Sequence, residues 1–373
     1  MRRTLSVCSV FVLFAAHAQA QAPAPPRPAP VCKVDPSWPT VPDTWIFGAM
    51  AGIATDSKDN VWIIHRSAGV TMKKACCKAA PVVMQFDPAG RLLQSWEGPG
   101  DGYEWPAPNN EHGIFVDHKD NVWIAGRGAP GTSENQILKF DSRGKFLLQI
   151  GRRGRGTGSN DTANLGQPAD MAVYAPTHEV FVAAGYGNRR IVVFDADTGA
   201  YKRHWGAYGN RPDDAAPRTT SNQGPGDPQF NQVHTVRISR DGFAYVADRL
   251  NRRIQVFTVD GKFVKEAFVR RSSPEAAGTV SSLAFSAGSD QQYLYVADQA
   301  EDVILVLDRQ TLAELGSCGR LGRQAGQFVS PHNIATDSKG NLYTGETYEG
   351  KRLQRFIYRG LGPATSAAVK PDN

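Results

Sequence analysis

The hydrophobic pattern of this chain is built from one repeated unit, in which two short apolar runs flank a polar turn. In its clearest copy the apolar runs are residues 113–116 and 122–125, and the turn between them is residues 117–121. Runs of this length that are rich in Val, Ile and aromatic residues and bounded by Asp, Asn and Gly are typical of β-strands. We therefore predict a β-hairpin at this place.

The hairpin unit recurs along the chain. Close copies lie at residues 53–64, 236–247 and 334–343, and looser copies lie at 171–184 and 283–297. Each second strand carries one aromatic residue, and these residues are Trp62, Trp123, Phe181, Tyr245, Tyr295 and Tyr343. They follow one another at intervals of 48 to 64 residues. A supersecondary unit that is repeated at such intervals indicates a propeller or another repeat array.

The units continue beyond their hairpins with two further apolar runs. In the third unit these runs are residues 190–194 and 200–205, and in the fourth they are residues 253–257 and 262–268. Four antiparallel strands per unit make a propeller blade. We therefore predict an all-β protein that folds as one six-bladed β-propeller over residues 44–360.

The sixth unit stops after its third strand, residues 353–358. A closed ring leaves no exposed sheet edge, so we expect an N-terminal strand to complete the last blade. The segment from Thr44 to Phe47, directly before the first hairpin, is the expected donor.

The two ends of the chain differ from the repeats. Residues 1–20 have the features of a secretory signal peptide, with Arg2 and Arg3, an apolar run at 7–16 and a small-x-small site ending at Ala20. The apolar run is too short to span a bilayer as a helix. We expect cleavage of this signal and a secreted or periplasmic protein. Residues 21–43 are predicted to be a Pro/Ala-rich linker, and residues 361–373 a tail.

Charge excludes some partners. The net charge is +6, and +4 without Arg2 and Arg3. No basic stripe is interleaved with aromatic residues, and the densest basic run, residues 152–156, fits a solvated loop. We predict a monomer without a nucleic-acid partner and without a membrane span.

Four cysteines remain after cleavage of the signal: Cys32, Cys76, Cys77 and Cys318. An even number is compatible with disulfides in an oxidising compartment. We expect no bond between the adjacent Cys76 and Cys77, whereas a bond from one of them to Cys32 is compatible with the pattern.

Three histidines share one position in the repeat. His112, His234 and His332 each lie eleven residues before the second-strand aromatic of blades two, four and six. Alternate blades of a six-fold ring bring equivalent residues to the same depth around the axis. Each histidine alone is more simply explained as a hydrogen-bonded residue that lines the channel. Three imidazoles around an open position are the ligand set of a catalytic zinc site, and the shared position favours this interpretation.

Arginines accompany the histidines. Counting outward from each hairpin turn brings Arg66, Arg127, Tyr186 and Arg249 to the same end of the strands, with Arg127 directly opposite His112. Guanidinium groups bind carboxylates through paired hydrogen bonds. We therefore predict a small-molecule or peptide substrate that has a carboxylate.

Some stretches are more specific than the repeat itself. They are Ile64-His65-Arg66, Glu111-His112-Gly113, residues 184–191, residues 246–255 and Ser330-Pro331-His332-Asn333. Over most of residues 46–358 the chain resembles NHL-type (TolB-like) six-bladed propellers. In these stretches it resembles the peptidyl-α-hydroxyglycine α-amidating lyases, or peptidylamidoglycolate lyases.

The resemblance implies a metal centre. In that family three histidines bind zinc, and they match His112, His234 and His332. The resemblance also implies a structural calcium ion near Asn333 and the carbonyl oxygens of Ile53 and Ile114. The chain has Asn333 where the family has aspartate. The family's cysteines beside Tyr186 and around Arg249 are missing as well.

The resemblance further implies a carbon–nitrogen lyase. Zinc would bind the substrate's α-hydroxyl group as a Lewis acid, and Tyr186 would be the base. Arg66 and Arg249 would hold the carboxylate, so that a peptidyl- or N-acyl-α-hydroxyglycine is cleaved to an amide and glyoxylate. Residues 67–80 do not resemble the family, so the choice of substrate is open. We expect no monooxygenase domain in this protein, and we therefore expect another protein to supply the hydroxylated substrate.

Two other functions stay open. The chain would be a non-catalytic NHL propeller that binds a peptide or protein in the periplasm, or a lactonase-like propeller hydrolase. The hydrolase calls for a carboxylate-rich calcium cup, whereas this cup is rich in imidazole. Metal content separates the lyase from the binding module.

Overall fold

The computed structural model describes residues 27–72, 74–128, 133–218 and 224–363. Within these ranges the chain forms six four-stranded sheets and one two-stranded pair, together with two 3₁₀ turns. The predicted all-β six-bladed propeller is therefore confirmed. The predicted signal peptide and most of the predicted tail lie outside the described residues. None of the described segments is a helix long and apolar enough to cross a membrane.

The strands follow the repeat. Before the first blade come β1 (Ala29–Asp35) and β2 (Trp45–Ile46). Blade one contains β3 (Met50–Thr55), β4 (Val61–His65), β6 (Val83–Phe86) and β7 (Leu92–Trp96), with the 3₁₀ turn Ser67–Gly69 and β5 (Lys78–Ala79) inserted after β4. Blade two contains β8 (Glu111–Val116), β9 (Val122–Gly126), β10 (Gln136–Phe140) and β11 (Phe146–Gly151). Blade three contains β12 (Asp170–Tyr174), β13 (Glu179–Ala184), β14 (Arg190–Asp195) and β15 (Tyr201–Trp205), followed by the 3₁₀ turn Ala207–Gly209.

The second half repeats this order. Blade four contains β16 (Val233–Ile238), β17 (Phe243–Asp248), β18 (Arg253–Thr258) and β19 (Phe263–Phe268). Blade five contains β20 (Ser282–Phe285), β21 (Tyr293–Asp298), β22 (Val303–Asp308) and β23 (Glu314–Cys318). Blade six contains β24 (Pro331–Thr336), β25 (Leu342–Glu346) and β26 (Leu353–Gly362), and β1 is its fourth strand.

The first hairpin of blades one, two and six is fixed by an aspartate in its turn. In blade two, the carboxylate of Asp117 accepts hydrogen bonds from the backbone N–H and side-chain amide of Asn121 and from the indole N–H of Trp123. Asp56 and Asp337 accept the equivalent bonds in blades one and six. The recurring Asp, Asn and aromatic residue therefore close the turn and anchor the buried ring at once.

The core consists of six apolar layers, one between each pair of neighbouring blades. For example, Trp123 and Ile137 of blade two pack with Val182 and Val192 of blade three. The last layer joins the ends of the ring, because Tyr343 of blade six packs with Phe86 of blade one. Burial of apolar surface between blades therefore stabilises the ring around its whole circumference.

The ring is closed by an N-terminal strand, as predicted, but the expected donor was wrong. Strand β1 pairs antiparallel with β26, and its Cys32 lies opposite Tyr358. The segment from Thr44 to Phe47 instead contributes β2, which pairs in parallel with β5. The propeller therefore begins within the predicted linker. Its Pro30 is compatible with β1 because an outermost strand has one unpaired side and tolerates proline.

The disulfide expectation was also wrong. Cys32 is bonded to Cys318, and Cys76 is bonded to its neighbour Cys77. The first bond follows from ring closure, since β1 carries Cys32 to the outer edge of blade six, beside the last strand of blade five. It links parts of the chain that are 286 residues apart in sequence.

Candidate metal centre

Three buried imidazoles meet where the innermost strands of blades two, four and six begin. His112, His234 and His332 are 1%, 1% and 3% exposed. Their ring centroids are 4.8 to 5.0 Å apart, and one ligand nitrogen from each lies within 4.8 Å of the others. We call this group the histidine cup.

β-Bulges aim the histidines. The strand register shifts between Glu111 and Ile114, and the same shift occurs around His234 and His332. A bulge places two residues opposite one and turns a side chain away from the regular alternation. The simple count that put Arg127 opposite His112 was therefore wrong, because Gly126 pairs with Glu111 and Arg127 follows the strand.

Backbone carbonyl groups of the intervening blades orient two of the rings. Nδ1–H of His112 donates to the carbonyl oxygen of Ala169 at 2.8 Å, and Nδ1–H of His234 donates to that of Ser281 at 2.5 Å. A carbonyl oxygen only accepts, so Nδ1 carries the proton and Nε2 keeps its lone pair. Such a second partner is the usual support of a metal-bound histidine.

Tyr186 covers the cup. Its hydroxyl oxygen lies 3.0 Å from Nε2 of His112 and 3.1 Å from Nε2 of His234. One hydroxyl has one proton and can donate to only one of these two acceptors. Nδ1 of His332 is also buried without a hydrogen-bond partner within the described residues. The lone pairs gathered here exceed the available donors, and this fits a bound cation.

The surroundings keep the imidazoles neutral. Burial, together with the neighbouring imidazoles and arginines, holds the pKa of His112, His234 and His332 well below the usual range. Neutral imidazole is the form that binds a metal. Within the described residues this is the one group of three or more His, Cys, Asp or Glu side chains that is close enough to hold an ion.

Guanidinium groups surround the cup. Arg66 donates to the carbonyl oxygen of Glu111 and to Oγ1 of Thr347, and burial lowers its pKa. Arg249 is buried and donates to the carbonyl oxygen of Ala277 and to Oε1 of Gln299.

Arg127 differs from these two arginines. Its guanidinium carbon lies 4.9 Å from the ring centroid of Tyr186. The predicted residues Arg66, Tyr186 and Arg249 are thus gathered with the histidines at one mouth of the propeller.

The three residues predicted for calcium lie on neighbouring innermost strands. Ile53, Ile114 and Asn333 belong to β3, β8 and β24. All three are buried, and Oδ1 of Asn333 has no hydrogen-bond partner in the described part of the chain.

Two kinds of functional contact could not be found from the sequence. The carbonyl oxygens of Ala169 and Ser281 are backbone atoms and leave no mark on residue identity. Glu111 precedes His112 directly, and its buried side chain, whose pKa burial raises, leaves Oε2 without a partner within the described ranges. Its position next to a candidate ligand was the available signal for this residue.

A cavity of about 410 Å³ lies at the other end of the channel. Its lining includes Thr55, Phe115, Arg237 and Phe285, and also Ile53 of the predicted calcium site, but none of the three histidines and none of the predicted catalytic residues. Arg237 is already paired with the buried Asp170 at 2.6 Å. The histidine cup and this cavity are therefore two separate places in the channel.

The fold and the cup define an NHL-type six-bladed β-propeller. The sequence matches the model of the family described as "Lactonase, 7-bladed beta-propeller" over residues 132–344, more than half of the chain, and the chain belongs to this family. The described residues form six blades and not seven.

Known proteins with similar sequences or folds include NHL proteins and lyases. NHL repeat-containing protein 3 of Mus musculus is 27% identical over 88% of this chain and 84% of its own length. A probable peptidyl-alpha-hydroxyglycine alpha-amidating lyase of Caenorhabditis elegans is 28% identical over 65% of this chain and 63% of its own length. Among solved structures, a streptogramin B lyase has a TM-score of 0.53 at 12% identity, covering 88% of this chain and 98% of its own. The last likeness shows the fold alone. The predicted relationship to NHL propellers and amidating lyases is confirmed at the level of the family.

Proposed function

We propose that the protein is an exported zinc-dependent lyase that cleaves an N-acyl- or peptidyl-α-hydroxyglycine to an amide and glyoxylate. The single observation that supports this most is the histidine cup, in which the Tyr186 hydroxyl faces two Nε2 lone pairs. The similarity to an amidating lyase adds the reaction type.

The histidine cup would hold the metal through His112, His234 and His332. Bound zinc would supply Lewis acidity toward the α-hydroxyl oxygen of the substrate. The carbonyl oxygens of Ala169 and Ser281 keep two rings in the tautomer that points a lone pair inward.

Tyr186 would move the proton. In its deprotonated form the phenolic oxygen would accept the proton of the α-hydroxyl group while the carbon–nitrogen bond breaks, and the hydroxyl oxygen would become the aldehyde oxygen of glyoxylate. The same proton then passes to the leaving nitrogen, which completes the amide. A positioned proton acceptor contributes about 10² to 10⁴ in rate.

Arg66 and Arg249 would bind the substrate carboxylate. Each already donates to two neutral acceptors, which fixes its guanidinium group and leaves further N–H groups for a carboxylate. Donors that are already ordered lower the entropic cost of binding the substrate.

Three further properties belong to this proposal. The two disulfides support export, because disulfides persist in oxidising compartments. The buried, unpaired amide oxygen of Asn333 supports a calcium ion beside Ile53 and Ile114, since calcium binds oxygen ligands. We also expect a monomer without a nucleic-acid partner.

The alternative is a non-catalytic propeller that binds a peptide or protein in the periplasm. It is favoured by the similarity to NHL repeat-containing protein 3, which extends over 88% of this chain.

Metal content and glyoxylate release test the proposal together. We expect one equivalent of tightly bound zinc in the purified protein, and glyoxylate from an α-hydroxyglycine substrate. His112→Ala should lose both, whereas His118→Ala, which removes an imidazole outside the cup, should keep both. Zinc without glyoxylate release would favour the binding module. Full zinc binding by His112→Ala would refute the metal assignment.

A further inference from the structure

The three arginines of the mouth lack a carboxylate at ion-pair distance in the described part of the chain, although the Glu111 carboxyl group interacts electrostatically with Arg66. Arg66, Arg127 and Arg249 form no ion pair within the described residues. Other buried or half-buried arginines of the propeller pair with carboxylates at 2.6 to 2.9 Å, namely Arg203, Arg237, Arg253, Arg309 and Arg352. Within the described ranges, Arg189 and Arg190 are buried without an ion pair as well, but their guanidinium groups donate to backbone carbonyl oxygens. An unpaired, partly buried charge without such acceptors is costly and calls for a partner from outside.

Of the three guanidinium groups, that of Arg127 has the fewest polar contacts. Arg66 and Arg249 each donate to two neutral acceptors. The guanidinium group of Arg127 has no hydrogen-bond acceptor in the part of the chain that the structure describes, and its contact is the face of the Tyr186 ring. The Arg127 side chain is half-buried. Its positive charge acts on the histidine cup, since it helps to lower the pKa of all three histidines.

The proposed reaction accounts for two of these guanidinium groups. One carboxylate, that of the glyoxylate portion, is held by Arg66 and Arg249. Arg127 stacks on the tyrosine that faces the reacting atoms, so it lies beside the substrate without a partner in the glyoxylate portion. A second anionic group on the substrate is its natural complement.

We propose that the substrate is a dianion whose acyl portion carries a second carboxylate, and that Arg127 is the residue that selects it. This inference rests on the proposed lyase function. The substrate class is then the α-hydroxyglycine amide of a dicarboxylic acid, or a peptide with an acidic residue directly before the hydroxyglycine.

Matched substrates test the inference. N-succinyl-α-hydroxyglycine and N-butanoyl-α-hydroxyglycine have acyl chains of the same length and differ in one terminal carboxylate. The variants are Arg127→Gln, Arg127→Lys and the control Arg240→Gln. Arg240 carries the same charge but lies six residues beyond His234, about 20 Å along the strand direction.

We expect wild-type kcat/KM to favour the succinyl compound by about tenfold, as one partly desolvated ion pair would. Arg127→Gln should lower kcat/KM for the succinyl compound about tenfold more than for the butanoyl compound. Arg127→Lys should restore part of the preference, and Arg240→Gln should keep all of it. Equal use of both compounds by the wild type, or an equal loss on both in Arg127→Gln, would overturn the inference and leave the lyase function standing.

Binding measurements distinguish a failure of the dianion site from a failure of the lyase function. The unhydroxylated analogues N-succinylglycine and N-butanoylglycine cannot be cleaved, and their dissociation constants are measured by calorimetry on the zinc-loaded protein. If no substrate releases glyoxylate, tighter binding of N-succinylglycine that disappears in Arg127→Gln still supports the dianion site. Equal binding of both analogues would refute it.

Discussion

The disulfide that closes the ring offers the sharpest test of how the propeller is held together. Cys32 and Cys318 are 286 residues apart in sequence. Cross-linking restricts the conformational freedom of the unfolded chain, and for a loop of this length the loop-entropy relation gives about 5.6 kcal/mol. Native disulfides contribute less than this relation gives, typically about 2 to 5 kcal/mol. Replacing both cysteines by alanine should therefore lower the free energy of unfolding by about 3 to 5 kcal/mol.

The assay is urea unfolding of the oxidised protein, followed by tryptophan fluorescence. The control is Cys76→Ala/Cys77→Ala, which removes the other disulfide but opens no long loop, because its cysteines are neighbours. Its stability should change by less than about 1 kcal/mol. Reduction of the wild type should reproduce the loss seen in Cys32→Ala/Cys318→Ala and should add nothing to that variant.

Two results would refute the reasoning. A loss below about 1 kcal/mol would mean that β1 is equally well held by its pairing with β26 and by the apolar layer between blades five and six. A loss of equal size in the control would mean that the effect has nothing to do with loop length.

The remaining predictions concern the cup and its surroundings. Tyr186→Phe should lower kcat by about 10² to 10⁴ without changing zinc content; an unchanged kcat in steady-state glyoxylate assays would exclude the tyrosine as base. Gly113→Ala should weaken zinc binding in a chelator competition, because an added Cβ would lie 2.6 Å from the carbonyl oxygen of Ala169, which orients His112; unchanged zinc affinity would show that this support is dispensable. Burial lowers the pKa of His65 from 6.5 to about 4, so the unfolded state takes up a proton first and stability falls as pH drops from about 6.5 to 4. Between pH 7 and 4 the metal-free wild type should lose about 3 kcal/mol more unfolding free energy than His65→Gln, and parallel pH curves in urea titrations would contradict this.

The architecture could be predicted because its signals are periodic. Each blade repeats a buried aromatic residue, and blades one, two and six also repeat an aspartate and an asparagine. One contact set explains all three residues in blade two, because the Asp117 carboxylate closes the turn and holds Trp123. The shared position of the histidines could be predicted for the same reason, since equal positions in alternate blades meet at the axis.

What could not be predicted depends on local geometry without a periodic signal. The bulges that shift Arg127 beyond the strand arise from backbone conformation around His112. Strand β1 was hidden by its Ala/Pro-rich surroundings, although Cys32 and Val34 alternate with Lys33 and Asp35 as in a half-buried strand. Its partner is more than 300 residues away, so no local pattern reveals the pairing.

The pairing of β1 with β26 has a consequence for the order of events during synthesis. Strand β1 is the first part of the propeller to be made, and β26 is the last. At the usual elongation rates, about 15 to 60 seconds separate the two strands. During that interval blades one to five can stack on one another, but the outer edge of the last blade cannot form. Ordered assembly from the N-terminus therefore ends in a single late step, in which the oldest strand must still be free when the youngest arrives.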